Sequence, residues 1–241
     1  MGERTRGTEA EDLTATILRF GLALAAAWFA AAPAWSEWIA NDADLKAFSV
    51  HINRTPQQPW PGYGVYLGNG LILTASHVPG NVAETKPHVV IGGKDLPATL
   101  VRQGSLEGVD LTLLAVDASK LPVRLQMRRM PLCGSPPAPG EAVVVATPEG
   151  TARSRVLPPS AVPRDLRDRF GTVIGDVATT GNSGSGVFDA GKQCLMGVIS
   201  RKISVGVLPG RLGAPARKVD IAKYFVPVGE IKAFIPDNVS F

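Results

Sequence analysis

Three short segments carry the residue types of nucleophilic catalysis. Gly181-Asn182-Ser183-Gly184-Ser185-Gly186 holds a serine between glycines, Thr74-Ala75-Ser76-His77-Val78 supplies an imidazole, and Val109-Asp110-Leu111-Thr112-Leu113-Leu114 supplies a carboxylate. A serine hydroxyl is a poor nucleophile near neutral pH until a base takes its proton and a third group orients that base. Histidine can take and return the proton. An aspartate on its other ring nitrogen fixes the tautomer and stabilises the imidazolium that forms. The glycines beside Ser183 let the chain turn sharply, and the amides of Gly181 and Ser183 would then bind a developing oxyanion.

Each segment also has a plain reading: a glycine-rich turn, a structural histidine, an aspartate that caps a turn. Ser185 and Ser76 compete with Ser183, and Asp44, Asp117 and Asp176 compete with Asp110. Of the three histidines, His77 directly follows an apolar strand pattern, whereas His51 and His88 have no such setting. Asp110 stands just before the strong strand signal Leu111–Val116.

The elements that must hold these residues read as β. Tyr63–Leu67 and Leu71–Thr74 flank Gly68-Asn69-Gly70, a hairpin-turn composition. Further strands are expected at Val89–Ile91, Ala98–Arg102, Leu111–Val116, Ala142–Ala146, Arg155–Leu157, Thr172–Ile174, Gly186–Phe188 and Leu195–Ser200. Short, regularly punctuated runs predict an all-β sandwich or barrel. Val228–Ile235 predicts a short C-terminal helix, and Trp35–Lys46 a lead-in segment. The expected division is an N-terminal part, 45–130, with His77 and Asp110, and a C-terminal part, 131–241, with Ser183. Catalytic groups split in this way belong in the cleft between two lobes. The loops Thr151–Arg169 and Val205–Lys218 read as solvated surface.

The composition agrees with a folded chain. Of 241 residues, 45% are hydrophobic and 19% charged, which excludes a disordered class. The net charge of +4 comes without a dense Lys/Arg tract carrying aromatics, so no nucleic-acid partner is expected. Arg4, Arg6 and Arg19 precede an apolar run from Phe20 to Ala34 that ends in Ala32-Pro33-Ala34, an A-x-A pattern. Residues 1–34 therefore read as an export signal, or as a membrane anchor if they are retained. The acidic Glu9, Glu11 and Asp12 are atypical of a signal. The expected location is secreted or periplasmic. In an oxidising compartment Cys133 and Cys194 can pair and close a loop of about sixty residues; the alternative is two buried thiols. Asn53-Arg54-Thr55 and Asn238-Val239-Ser240 fit the N-glycosylation pattern, which matters only in a eukaryotic secretory route.

Together the three segments resemble the trypsin-like, chymotrypsin-fold serine peptidases. Thr74–Val78 is similar to the family's TAAHC-like block, Asp110–Leu114 to its D-I-x-L-L block, and Gly181–Ser185 to its G-[DN]-S-G-[GS] block, with the resemblance running from Gly62 to Ile235. It implies two six-stranded antiparallel β-barrels with the active site in the cleft between them and a short C-terminal helix. It implies a monomeric endopeptidase that acts on polypeptides with His77, Asp110 and Ser183, without metal or cofactor. It also implies a Cys133–Cys194 disulfide and a contact of Ser200 with Asp110. Val177, Ala178, Thr179 and Thr180 would line the primary pocket, and Ser200, Arg201 and Lys202 would meet the substrate.

The departures narrow the subclass. Asn182 replaces the aspartate that vertebrate digestive members pair with a freed N-terminus, and Gly186 replaces a common proline. With nothing acidic at 177–180, a preference for Lys or Arg is not expected. Thr179–Ser185 resembles the bacterial glutamyl endopeptidases, but Ile199 stands where that branch carries histidine. Acidic and small or aliphatic preferences both remain open. The rival class is an inactive binding module on the same fold.

Overall fold

Asn69 and Gly70, with φ of 47° and 80°, join strand β2 (Gly62–Gly68) to β3 (Leu71–Thr74). Two successive positive φ angles suit the right-handed twist of a tight hairpin, which is why Asn-Gly works here. The Gly70 position is also crowded, because an added Cβ would run into the carbonyl oxygen of Val116.

The computed structural model describes residues 42–52, 62–175, 183–207 and 217–241. The expected export segment 1–34, Asn53, the loop residues 208–216, Asp176 and the candidate site residues Val177–Asn182 lie outside the described residues. Of the expected lead-in, Asp42–Lys46 is a short helix, α1. Among the described residues, no helix is long and apolar enough to cross a membrane.

The first sheet is built from β1 (Ser49–Ile52), β2, β3, β4 (His88–Ile91), β5 (Lys94–Pro97), β6 (Thr99–Gln103) and β7 (Thr112–Ala115). Its spatial order is β5-β4-β1-β2-β3-β7-β6, and every pairing is antiparallel. The two outer members, β5 and β6, are separated only by Ala98. One bent stretch, Lys94–Gln103, therefore joins both edges of the sheet, and with that stretch taken as one the sheet has the six strands of the expected barrel.

The second sheet contains β8 (Ala142–Ala146), β9 (Thr151–Arg155), β10 (Val173–Ile174), β11 (Gly186–Asp189), β12 (Leu195–Val207) and β13 (Arg217–Pro227), in the order β10-β13-β12-β11-β8-β9. An antiparallel bridge between Val156 and Ile174, reinforced by Leu157 N donating to the Val173 carbonyl at 2.8 Å, joins its two outer strands. Closure of this kind removes exposed strand edges.

The expected Arg155–Leu157 strand lies earlier, at Thr151–Arg155. A tight turn closed by Thr147 and Gly150 brings it back onto β8, and its polar sequence carries no hydrophobic signature. β12 also runs past the expected end at Ser200 through Arg201 and Lys202, because β13 pairs with it along nearly its whole length.

An apolar seam joins the sheets. Val65, Leu73 and Leu113 of the first pack in one cluster with Phe188, Val198 and Val226 of the second. The C-terminal helix α2 (Val228–Phe234) adds Ile231 and Phe234 to that seam, and Arg102 of β6 donates to the Phe234 carbonyl at 2.8 Å. Cys133 and Cys194 form a disulfide with a sequence separation of 61. By chain-entropy reasoning such a closure contributes about 4 kcal/mol.

Candidate active site

His77 follows β3 after Thr74-Ala75-Ser76, three residues whose exposure is between 0 and 5%. Asp110 precedes β7, the neighbour of β3 in the sheet. The loop that delivers Asp110 is narrow: Gly104 N donates to the Leu111 carbonyl at 2.8 Å and Ser105 N to the Val109 carbonyl at 3.1 Å. The pairing of Thr74 with Thr112 thus sets the two candidate residues side by side.

Asp110 is buried, with 2% exposure, and surrounded by donors. Nδ1 of His77 lies 2.9 Å from Oδ2 and 3.2 Å from Oδ1. Ser76 Oγ donates to Oδ1 at 2.5 Å, Ser200 Oγ to Oδ2 at 2.6 Å, and the His77 backbone N–H to Oδ1 at 3.3 Å. Burial alone would raise the Asp110 carboxyl; the hydrogen bonds from His77, Ser200 and Ser76 overcome that and hold it well below the usual carboxylate range. An ionised carboxylate only accepts hydrogen bonds, so neutral His77 carries its proton on Nδ1 and presents Nε2 as the basic nitrogen.

Ser183 enters from the second sheet. Its Oγ donates to the Ser200 carbonyl at 2.9 Å, and its own carbonyl accepts from Tyr63 N of β2 at 3.1 Å. The next residue, Gly184, has φ of 88° and donates its N–H to the Ile199 carbonyl at 2.8 Å. An added Cβ there would strike the Tyr63 carbonyl, itself bonded by Thr74 Oγ1 at 2.6 Å. Gly184 is therefore required both by its left-handed backbone and by the close approach of β2. Ser185, the rival in the same loop, is fully buried.

Ser200 is the hub of the arrangement, since its hydroxyl touches Asp110 while its carbonyl receives Ser183. The resemblance placed Ser200 on the aspartate; Ser76, considered in the sequence only as a rival nucleophile, is a second donor to the same group.

Arg201 does not extend toward solvent. Its Nε donates to Ser200 Oγ at 3.2 Å and an Nη to the Leu106 carbonyl at 2.9 Å, while that Nη lies 3.7 Å from Asp110 Oδ2. The guanidinium also stands 5.5 Å from the centre of the Phe170 ring. These partners turn it toward the Asp110 loop. Lys202 is exposed and pairs with Asp220 across the ladder at 3.1 Å. Ile199 is buried in the core of the second sheet with Ile174 and Phe225. Among the described residues, no cluster of histidine, cysteine and carboxylate side chains is arranged to hold a metal ion.

Lys223, which the sequence reading passed over, is only 2% exposed. It lies in β13 opposite Ile174 of β10 and Lys202 of β12. The signal that could have found it is a lone lysine inside the apolar run Ile221–Val226.

Two closed antiparallel sheets, with a histidine–aspartate pair from one and a glycine-flanked serine from the other, define the chymotrypsin-type class. The model of the trypsin-like peptidase domain matches residues 62–198, more than half of the chain, and the chain belongs to that family. Membership supports serine peptidase function.

The fold is also similar to solved structures. For the active form of the Rv3671c protease from M. tuberculosis the identity is 18% and the TM-score 0.56, over 81% of this chain and 84% of that one. For a serine endoprotease from Yersinia pestis the identity is 19% and the TM-score 0.55, over 81% of this chain and 64% of that one. For kallikrein-related peptidase 10 the values are 17% and 0.54, over 78% and 93%. At such identities the likeness speaks of the fold. No curated protein matches the sequence.

Proposed function

We propose that the chain is an exported serine endopeptidase in which Ser183 is the nucleophile, His77 the general base and then general acid, and Asp110 the group that orients His77. The observation that carries this reading is the bond of His77 Nδ1 to Asp110 at 2.9 Å, with Ser200 linking that same carboxylate to the Ser183 hydroxyl. For reaction, the Ser183 hydroxyl turns from the Ser200 carbonyl to Nε2 of His77. Its oxygen attacks the scissile carbonyl of a polypeptide as the proton passes to Nε2, which then protonates the leaving amine. Water resolves the acyl-enzyme by the same route. Amides of Gly181 and Ser183 serve as oxyanion donors, each typically worth about 3–4 kcal/mol.

The Cys133–Cys194 bridge supports an oxidising compartment, hence export to the periplasm or beyond. The reading takes the protein to act as a monomer. The part-sequences 45–130 and 131–241 form its two lobes.

A fluorophosphonate probe tests the assignment. Purified protein labels at Ser183, and Ser183→Ala abolishes labelling and lowers peptide turnover by about a millionfold, because triad members act as a unit. A folded wild-type protein that does not label supports the inactive binding module instead.

A further inference from the structure

We propose that the end of the first sheet away from His77 is a docking surface for a bilayer rich in anionic phospholipid, with Val123 and Met127 as its apolar contacts. Such a surface decides where the protein works, independently of what it cleaves.

β3 and β7 define the two ends. Thr74 and Thr112 pair at the end that carries His77 and Asp110, and Leu71 and Ala115 pair at the other. Beyond that other end the chain runs from Val116, whose N–H donates to the Gly70 carbonyl at 2.9 Å, to Met130, whose N–H donates to the Leu67 carbonyl at 2.8 Å. Leu121, Leu125 and Met130 are buried, and Tyr66 Oη donates to the Leu125 carbonyl at 2.9 Å. The segment is thereby pinned to the sheet. Its single helical turn, Val123–Gln126, faces Leu125 inward, while Val123 and Met127 are 72% and 77% exposed. Four residues apart, they share one side of the turn.

The surroundings of this pair are cationic. From Asp117 to Met130 the chain has Lys120, Arg124, Arg128 and Arg129 against Asp117 alone. Asp117 already accepts from Ser119 at 2.6 Å and lies 3.7 Å from Lys120. Lys94, at the start of β5, donates to the Lys120 carbonyl at 2.6 Å and adds a further cation, while the adjacent Asp95 pairs with His88. A lone exposed apolar side chain is ordinary on a protein surface. Two on one pinned turn, among cations, meet both demands of a bilayer interface. Apolar groups enter the acyl boundary and cations meet the headgroup phosphates. Each cation held near such a surface strengthens binding about fivefold. A nucleic-acid backbone supplies the phosphates but nothing for Val123 and Met127.

The N-terminal end of the described fold meets the same face. An Nη of Arg128 donates to the Asp44 carbonyl of α1 at 3.4 Å, and its guanidinium stands 5.4 Å from the centre of the Phe48 ring. Residues 35–41 separate α1 from the apolar run that ends at Ala34. Seven residues reach roughly 25–30 Å at full extension. A chain held in a bilayer by that run keeps this face within reach of the headgroups. Docked through it, the protein carries His77 and Asp110 on the side away from the membrane, open to polypeptides in solution.

The experiment uses the full chain with Met127→Cys carrying an environment-sensitive dye. Cys133 and Cys194 are joined, so the dye attaches at position 127 alone. The protein is mixed with vesicles of phosphatidylcholine alone or with one-third phosphatidylglycerol. The dye is expected to shift to the blue, and to be quenched by brominated lipid, only where phosphatidylglycerol is present, and to lose both responses at about 1 M salt. Adding Arg124→Glu, at an exposed position, is expected to raise the half-saturating lipid concentration about tenfold or more. Fluorophosphonate labelling of Ser183 is expected to keep its solution rate on these vesicles within about twofold. Protein that stays free of anionic vesicles, or is held by them while the dye does not respond, overturns the inference. So does a response equal on the two lipids or unchanged by Arg124→Glu. A response without lipid that grows with protein concentration assigns the face to a second copy of the chain and overturns it too. Labelling suppressed by vesicles that shift the dye overturns the orientation.

Discussion

Ser200 Oγ donates to Asp110 Oδ2 at 2.6 Å, across the junction between the two sheets. The carboxylate thus takes hydrogen bonds from both halves of the fold, from Ser76 and His77 on one side and Ser200 on the other. Removing the hydroxyl leaves the Ser200 carbonyl available to Ser183 but deprives a buried charge of one donor. Hydrogen bonds to charged groups contribute about 1.5–3 kcal/mol. Ser200→Ala is expected to lower kcat/KM roughly tenfold or more while fluorophosphonate still labels Ser183, only more slowly. Steady-state kinetics and the labelling rate check this.

Arg201 supplies a second test of the same junction. The sequence offered it as a substrate contact, yet the guanidinium is spent on Ser200, the Leu106 carbonyl and the neighbourhood of Asp110. Those contacts predict a positioning role toward the loop that presents Asp110. Arg201→Ala is expected to reduce kcat/KM for peptides with Glu or Gln before the cleaved bond by similar factors, about tenfold, and to leave their ratio within about twofold of wild type. A selective loss against Glu would place the guanidinium on the substrate instead.

What could be read in advance follows from how local each signal is. His77, Asp110 and Ser183 each sit in a motif of five or six residues beside a strand, so their types and order were visible in the chain. β1 escaped notice because Ser49–Ile52 is a four-residue strand with two buried side chains, and β9 because Thr151–Arg155 is polar. Arg201 and Lys202, adjacent in the chain, were both expected to meet the substrate. Only the pairing of β12 with β13 sends one toward Asp110 and leaves the other at the surface. The apolar run Ile221–Val226 marks Lys223 as unusual, but its neighbours follow from the register of three strands drawn from distant parts of the sequence.

The same carboxylate makes stability depend on acid in a defined direction. Against its own desolvation, hydrogen bonds hold Asp110 well below the usual carboxylate range in the folded protein, whereas in the unfolded chain it titrates near 4. A group depressed by folding contributes stability that is fully present above its unfolded value and is lost as pH falls toward its folded value. The loss therefore begins near pH 4 and continues downward, with a limiting slope of about one proton from this residue. Asp110→Asn cannot be protonated in that window, and its amide group mispairs with the donors of Ser76 and Ser200. The variant is expected to be less stable than wild type at pH 6, inactive, and flatter by about one proton in its dependence between pH 4 and pH 2. Chemical denaturation at a series of pH values measures all of this except activity; equal slopes for the two proteins would mean that the Asp110 carboxyl is not held down by folding.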